Sequence, residues 1–265
     1  MKLNSSVLTL DWATVTDKIK EFIKDYVKEA RARGIVLGLS GGIDSSTAAA
    51  LSALAIGGEN VTGLILPERE TYNMSDIEDA RLIAKKFGLR TEILDITSVI
   101  KAFQDTIPIF DNDDKLCKGN LKARVRMIFL YYYANKFNLL VCGTSDKSEV
   151  MIGYFTKWGD SAADIAPLMF LYKTQVRKLA EYIGIPNKII NKPSTPSLWP
   201  GQTAEGEIGI KYEILDLILY GLEHSMSAEE IANQLNLDKS IVESVRQRVH
   251  LAEHKRKNPL TVKIQ

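Results

Sequence analysis

The segment Ser40-Gly-Gly-Ile-Asp-Ser45 contains residue types suited to holding an anionic, oxygen-rich ligand. It follows a short apolar run, Ile35–Leu39, and precedes an alanine-rich segment, which predicts a glycine-rich turn between a buried strand and a helix. The free N–H groups and the dipole at a helix start favour an anion, and glycines let the backbone approach it closely. The hydroxyls of Ser40, Ser45 and Ser46 are further donors. These features indicate a phosphate site.

The turn differs from the common phosphate-binding loop in two ways. No lysine follows it, so the GxxxxGK[ST] signature of γ-phosphoryl transfer is absent. The carboxylate of Asp44 would repel a bare polyphosphate, unless Mg²⁺ lies between them. An isolated aspartate here would more often be an N-cap or first-turn acid. The two glycines and three serines favour the other interpretation, a site for metal-bridged pyrophosphate.

The elements that position this turn follow from the hydrophobic periodicity. The predicted strands are Ile35–Leu39, Val61–Leu66, Thr91–Ile96 and Leu139–Cys142. The predicted helices among them are 11–33, Asp44–Ala55, Asp76–Phe87 and Lys118–Phe137. This alternation predicts an α/β fold, a doubly wound parallel sheet with helices on both faces. Ligands of such sheets bind at the carboxyl ends of the strands.

The pattern becomes less regular after about residue 149. A helix is predicted at Lys173–Ile183, and helices at 211–220, 228–235 and 240–253 complete the chain. Pro193–Gly209 is too rich in proline, glycine and small polar residues for regular structure. Because so long a loop is usually functional or disordered, we interpret it as a lid; the alternative is a disordered surface loop. We expect one domain, residues 1–265, with a helical C-terminal part at about 210–257.

Composition excludes several classes of protein. The 265 residues include 34 basic and 33 acidic side chains, which gives no reason to expect a nucleic-acid or membrane partner. The only two cysteines, Cys117 and Cys142, form no metal-binding or disulfide pattern. The N-terminus lacks the sustained apolar run of a signal peptide. We therefore expect a soluble, cytoplasmic protein.

Several motifs in order carry a resemblance to a known family. The turn matches the SGGxDS loop of the N-type ATP pyrophosphatases, which split ATP into AMP and pyrophosphate while adenylating a substrate oxygen. The downstream motifs are KARVRM at 122–127, GTSDKSE at 143–149, GYFTKWGD at 153–160, DIAPL at 164–168 and EHKR at 253–256. Together they resemble the NAD synthetase family over nearly the whole chain. The resemblance implies an adenine nucleotide alpha hydrolase-like fold and conversion of deamido-NAD to NAD with ATP and ammonia, through an acyl-adenylate.

The resemblance also implies roles for individual residues. The ATP phosphates would be held by Gly38, Leu39, Ser40, Gly41, Gly42, Ile43, Asp44 and Ser45. The rest of the ATP site would be Thr144, Lys173 and Thr195. Mg²⁺ would be shared by Asp44 and Glu149. Deamido-NAD would be bound by Arg124, Lys157, Asp164, His254 and Lys255. Asp44 and Lys173 would be catalytic, the lysine by neutralising charge on departing pyrophosphate.

Taken alone, most of these residues have more ordinary interpretations. Thr144 would more often cap a helix, and Glu149 and Lys173 would more often be solvated side chains. An arginine at an exposed helix site such as 124 usually faces water. The basic segment at 253–257 would more often complement a helix dipole.

The sequence leaves open two other functions and two questions about protein partners. Another ligase of the superfamily, GMP synthetase-like or tRNA-modifying, shares the turn. The apolar spacing of Ser227–Val249 fits a DNA-binding helix-turn-helix, although two packed helices give the same pattern and the charges there nearly cancel. The resemblance implies a homodimer. Since no separate amidase domain is present, free ammonia is the expected nitrogen donor, with a separate glutaminase as the alternative.

Overall fold

Four parallel strands form the centre of the fold: β1 Ile35–Gly38, β2 Val61–Ile65, β3 Arg90–Ile93 and β4 Leu140–Val141. The structure is a computed structural model and describes residues 2–262. The strand order is β3-β2-β1-β4, so the chain runs outward from β1 on one side and then returns to its other side. The crevice between the carboxyl ends of β1 and β4 is therefore the topological switch point of the sheet, where such folds bind ligands.

The helices account for most of the remaining chain. Before residue 150 they are α1 Trp12–Glu29, α2 Ile43–Ile56, α3 Met74–Phe87, α4 Thr97–Thr106, α5 Lys115–Phe137 and α6 Lys147–Ile152. After it come α7 Lys173–Tyr182, α8 Asn187–Ile190, α9 Ala204–Ile208, α10 Tyr212–Glu223, α11 Ala228–Leu235, α12 Lys239–Leu251 and α13 Glu253–Arg256. Short 3-10 turns lie at Ser5–Leu8, Gly58–Asn60 and Arg69–Thr71.

Strand β1 shows why helices cover both faces of the sheet. Ile35 and Leu37 point into a core shared with α1, α2, α3 and α7, whereas Val36 points into a second core shared with α4 and α5. Alternate strand residues face opposite sides, so a strand that is apolar throughout needs both layers. The predicted doubly wound α/β fold is confirmed.

A third core lies in the C-terminal part of the chain. Helices α10, α11 and α12 pack on Leu3, Leu8 and Tyr172. The apolar positions of the segment that resembled a helix-turn-helix, such as Ile231 and Val242, are buried there. The packed-helix interpretation accounts for that spacing.

The structure corrects several predicted boundaries. Strand β3 ends at Ile93 rather than residue 96, and Thr97–Thr106 form α4, which we did not predict. Asp95 starts this helix by accepting the N–H of Thr97 at 2.7 Å, and Ile100 anchors it in the second core. The segment 193–209, expected to lack regular structure, contains helix α9, which ends at Gly209 with a φ of 80°.

No helix among residues 2–262 is both long enough and apolar enough to cross a membrane.

Candidate active site

The turn after β1 is held in one conformation by its own hydroxyls. Gly42 is the N-cap of α2, and Asp44 lies in the first helical turn. The Ser45 hydroxyl accepts the N–H of Ser40 at 3.2 Å, and its oxygen lies 3.0 Å from that of the Ser40 hydroxyl. Gly41 has a φ of 78°, and a Cβ there would stand 2.2 Å from the carbonyl oxygen of Asp76. Close contact with α3 therefore requires glycine at this position.

Three carboxylates surround one buried ammonium beside this turn. The Nζ of Lys173 lies 2.7 Å from Asp44 Oδ2, 2.6 Å from Asp146 Oδ2 and 2.8 Å from Glu149 Oε1. The side chains of Lys173 and Asp146 are 0% exposed. Asp146 also caps α6, since its Oδ1 accepts the N–H of Glu149 at 2.9 Å. The turn after β4 and the start of α7 thus meet the turn after β1.

The negative charge of this cluster exceeds what one lysine can neutralise. Burial, followed by the neighbouring Asp146, raises the pKa of Glu149 to about 8. Burial also raises the pKa of Asp146. Burial alone would lower the pKa of Lys173, but Asp146, Asp44 and Glu149 raise it well above the ordinary value. The Lys173 ammonium therefore stays charged, and one positive charge faces three carboxyl groups.

The cluster has the ligand geometry of a site for a hard divalent cation. One oxygen from each of Asp44, Asp146 and Glu149 lies within 4.8 Å of the others. The Oδ1 of Asp44 is buried and has no hydrogen-bond partner. Because hard cations take carboxylate oxygens, a bound Mg²⁺ would satisfy that atom and offset the excess charge.

A fourth carboxylate, Asp216, positions the backbone of Lys173 through hydrogen bonds. Asp216 on α10 accepts the Thr174 N–H at 2.8 Å and the Ser148 hydroxyl at 2.5 Å. The Ser148 oxygen in turn accepts the N–H of Lys173 at 3.0 Å. These bonds fix the first turn of α7, so the C-terminal core determines where the Lys173 ammonium lies.

A cleft of about 540 Å³ opens above the cluster, a volume suited to a small-molecule ligand. Its walls are the turns after β1, β2 and β4, the N-terminal half of α5 and the segment 192–202. The predicted ATP residues that line it are Gly38, Leu39, Ser40, Gly42, Ile43, Asp44, Ser45, Thr144 and Thr195. Gly41 instead faces α3, and Lys173 lies in the floor below Asp44. The structure thus gathers the predicted ATP residues other than Gly41 in or under one cleft.

The predicted dinucleotide residues lie mostly outside this cleft. Lys255 lines it, and its Nζ is 2.5 Å from the carbonyl oxygen of Gly153. Arg124 is exposed on α5 and donates to the carbonyl of Lys157 at 3.2 Å, and Lys157 donates to that of His254 at 2.7 Å. These residues form a connected rim beside the cleft.

Asp164 has a structural partner. Its Oδ2 accepts the N–H of Val141 at 2.7 Å, and the Tyr131 hydroxyl lies 3.4 Å from its Oδ1. The carboxylate therefore holds the end of β4 against α5, and it does not line the cleft.

The comparison with known proteins identifies the family. The family model described as NAD synthase matches residues 15–259. This chain belongs to the NAD synthase family.

Relatives within the NAD synthase family match over nearly the whole chain. The NH₃-dependent NAD⁺ synthetase of Methanocaldococcus jannaschii is 49% identical over 252 residues, which cover 94% of this chain and 96% of that protein. The structure of the NH₃-dependent NAD synthetase of Campylobacter jejuni superposes with a TM-score of 0.81 at 32% identity, covering 96% of this chain and 100% of that one. The NMN synthetase of Francisella tularensis gives a TM-score of 0.85 at 33% identity, covering 97% and 100%.

Sequence reasoning from the NAD synthase motifs missed some residues that the fold brings to the site. Asp146 lies within the motif GTSDKSE three residues before Glu149, and the capping pattern D-x-x-E there is a signal that could have indicated it. Arg126 and Lys192 line the cleft. The Nζ of Lys192 lies 2.7 Å from Asp76. Nothing in the local sequence distinguishes these two side chains from solvated ones.

Proposed function

We propose that this chain catalyses the ATP-dependent amidation of deamido-NAD to NAD with ammonia, releasing AMP and pyrophosphate. One observation carries the proposal: a glycine-rich turn and a three-carboxylate cluster around Lys173 lie at the switch point of the sheet. The relatives that this chain matches over nearly its whole length are NH₃-dependent NAD synthetases. The cleft has no need of a nucleophilic side chain, because nucleotidyl transfer relies mainly on positioning and charge stabilisation.

The chemistry starts from the poor reactivity of a carboxylate towards ammonia. A nicotinate carboxylate oxygen attacks the α-phosphorus of ATP, the bond to the bridging oxygen breaks, and pyrophosphate leaves. Ammonia then attacks the carbonyl carbon of the acyl-adenylate. The bond from that carbon to oxygen breaks, AMP leaves with the electron pair, and loss of a proton gives the amide.

In this proposal the chain's own residues hold and orient the reacting groups. Backbone N–H groups and hydroxyls of 38–45 bind the ATP phosphates, with Thr144 and Thr195 completing the ATP site. The Lys173 ammonium stabilises charge on the departing pyrophosphate. Rim residues Arg124, Lys157, His254 and Lys255 bind deamido-NAD, together with Asp164.

Magnesium is part of the proposal because the donor set suits it. Asp44, Asp146 and Glu149 would hold the ion, which adds one ligand, Asp146, to the pair implied by the resemblance. When bound, Mg²⁺ supplies positive charge to phosphate oxygens. The unpartnered Oδ1 of Asp44 supports this assignment.

Free ammonia is the proposed nitrogen donor, because the relatives that match at high coverage are NH₃-dependent. A separate glutaminase that supplies ammonia remains the alternative. Comparing ammonium with glutamine as the nitrogen source, with and without cell extract, separates the two.

The experiment measures AMP, pyrophosphate and NAD after incubation with Mg-ATP, ammonium and deamido-NAD. Nicotinate mononucleotide and xanthosine monophosphate are tested in parallel, since one relative is an NMN synthetase and GMP synthetases share the turn. We expect NAD only from deamido-NAD, with one AMP per NAD. Preferred use of either other substrate would overturn the proposal.

The matched variants are Asp44→Asn and Asp17→Asn. Asp17 is an exposed acid on α1, far along the chain from the cluster, with a side chain that is 76% exposed. We expect the first substitution to lower the rate at least about 100-fold and the second to leave it unchanged. Equal activity in Asp44→Asn would remove the metal assignment.

A further inference from the structure

A second buried lysine joins three separate segments at the edge of the cleft. The side chain of Lys122 on α5 is 0% exposed. Its Nζ lies 2.7 Å from Glu68 Oε2 and 2.6 Å from Glu70 Oε2, both in the turn after β2, and donates to the carbonyl oxygen of Leu198 at 2.9 Å. Leu198 belongs to residues 194–202, which we call the lid segment. One ammonium therefore connects α5, the turn after β2 and the lid segment.

The Leu198 carbonyl oxygen is one of two hydrogen-bond acceptors of the Lys122 ammonium among the described residues. A lysine has three N–H donors and no acceptor; Lys122 donates to Glu70 Oε2 and to the Leu198 carbonyl oxygen, and it pairs by charge with Glu68 Oε2 at 2.7 Å. Since a buried charge is tolerated only when it is paired and hydrogen-bonded, moving Leu198 away would leave one donor without its partner. The buried lysine thus favours the position of the lid segment against α5.

Close packing at Gly119 supports the same contact. Gly119 lies one helical turn before Lys122, and a Cβ there would be 3.1 Å from both the Cβ of Leu198 and the Cζ3 of Trp199. Leu198 and Trp199 also line the cleft. The absence of a side chain at 119 lets the lid segment lie directly on α5.

The turn after β2 is itself fixed by the two acids. Glu68 caps this turn by accepting the N–H of Glu70 at 3.0 Å. Glu70 also accepts a hydrogen bond from the Nζ of a second lysine, Lys118, at 3.0 Å. Glu68 also lines the cleft. The two acids and two lysines form a network without net charge, and Lys122 is the member of it that reaches the lid segment.

We propose that Lys122 is a positioning residue that holds the lid segment closed over the acyl-adenylate and keeps water from it. This inference rests on the proposed function. When the lid segment is loose, water attacks the acyl carbon, the bond to AMP breaks, and deamido-NAD is regenerated with loss of a proton. The net reaction is then ATP and water to AMP and pyrophosphate, without NAD.

The test measures the ratio of AMP to NAD formed by Lys122→Met. We expect a ratio near one for the wild type and a several-fold higher ratio for the variant. The matched control is Lys118→Met, because Lys118 pairs with the same Glu70 from the same helix and makes no hydrogen bond to the lid segment within the described residues. We expect its ratio to stay near one. A ratio near one in Lys122→Met would overturn the proposal.

A second variant separates lid positioning from loss of fold. Gly119→Ala replaces a helix-interior glycine by a better helix former and pushes on Leu198 and Trp199. We expect a denaturant midpoint no lower than that of the wild type, together with a raised ratio of AMP to NAD. If the midpoint is retained and the ratio of AMP to NAD stays near one, contact of the lid segment with α5 does not protect the acyl-adenylate from water. If the wild type itself makes no NAD, the proposed function fails, and this outcome is distinct from a failure of the Lys122 inference.

Discussion

Single residues in the cluster differ in what the sequence could reveal about them. Asp44 was predicted from the chemistry of the turn, and Lys173 and Glu149 from motif resemblance. Lys173 was expected to be a solvated lysine if considered alone, and that interpretation is wrong, since its side chain is fully buried among three carboxylates. No local pattern indicates burial of a charge, because the partners come from segments far apart in the chain. The catalytic roles of these residues stay predictions.

Asp146 provides a test of the cluster at the residue scale. The substitution Asp146→Asn keeps an oxygen that can cap α6 but removes one negative charge from the proposed metal ligands. We expect the Mg²⁺ concentration for half-maximal activity to rise about 10-fold or more, because carboxylate oxygens supply much of the affinity for the ion. Activity is titrated against MgCl₂, with Asp17→Asn as the control. An unchanged Mg²⁺ requirement would show that Asp146 is not a ligand.

Asp216 makes the stability depend on pH. Burial raises the pKa of this carboxyl to about 6 from an ordinary value of 3.8. Since the pKa is raised on folding, the associated stability is present below about pH 4 and is lost as the pH rises through about 6. The full shift corresponds to about 3 kcal/mol.

The pH effect is measured by urea unfolding of the wild type and Asp216→Asn between pH 4 and pH 7.5. The free energy of unfolding of the wild type should fall relative to that of the variant as the pH rises, because only the wild type titrates at this position. Groups that do not interact with Asp216 cancel in the difference. A difference that is constant over this range contradicts the raised pKa.

At the scale of elements, hydrophobic patterning predicted most of the strands and long helices. Strand β1 and helix α2 were predicted within one residue at each end, because an apolar run and a glycine-rich turn mark both clearly. Helix α4 was missed, since its start depends on the hydrogen bond that Asp95 accepts from Thr97 and its burial on the second core. The irregular segment at 193–209 was predicted from composition alone, and composition did not reveal α9 within it.

The turn after β1 depends on glycine at one position in particular. Gly41→Ala would place a Cβ 2.2 Å from the carbonyl oxygen of Asp76, at a φ of 78°. We expect a loss of about 2 kcal/mol or more in the free energy of unfolding and a raised KM for ATP, because the backbone must move away from α3. Denaturant unfolding and initial rates measure the two effects.

The matched control is Gly88→Ala at the end of α3. Gly88 has a φ of 72° but no atom within 4 Å of an added Cβ. We expect Gly88→Ala to lower the free energy of unfolding by about 1 kcal/mol, because of the backbone conformation alone, and to leave the KM for ATP unchanged. Equal effects of the two substitutions would mean that contact with α3 does not shape the proposed phosphate site.

At the scale of the whole molecule, the homodimer remains a proposal with a specific surface. Arg124, Ile128 and Tyr132 lie four residues apart on one face of α5. Ile128 and Tyr132 are 52% and 68% exposed. An apolar face continuous with the exposed Arg124 suits a second copy of the chain and would place the partner beside the dinucleotide rim.

The substitution pair Ile128→Asp and Tyr132→Glu tests this surface. We expect the variant to have the chain mass of 29.6 kDa by light scattering, where a dimeric wild type would have twice that mass. Because the rim would lose its partner, the KM for deamido-NAD should rise at least about 10-fold while that for ATP changes little. A variant that stays dimeric would exclude this face as the interface.

The control for the dimer test is Leu54→Asp. Leu54 is 45% exposed on α2, on a different surface of the molecule. The substitution Leu54→Asp should leave the particle mass and the KM values for deamido-NAD and ATP unchanged. A monomeric Leu54→Asp would place the interface there instead.

The sequence by itself determined the fold class, the glycine-rich turn after β1 and the family. Each of these follows from residues close together in the chain, through hydrophobic periodicity, glycine conformation and ordered motifs. That residues 1–265 form a single domain stays a prediction. The tertiary structure decided which distant charges meet: Lys173 with three carboxylates, and Lys122 with two glutamates and the lid segment. Burial and neighbours set the chemistry of such groups, and both arise only when β1, β4, α5, α7 and the lid segment pack together.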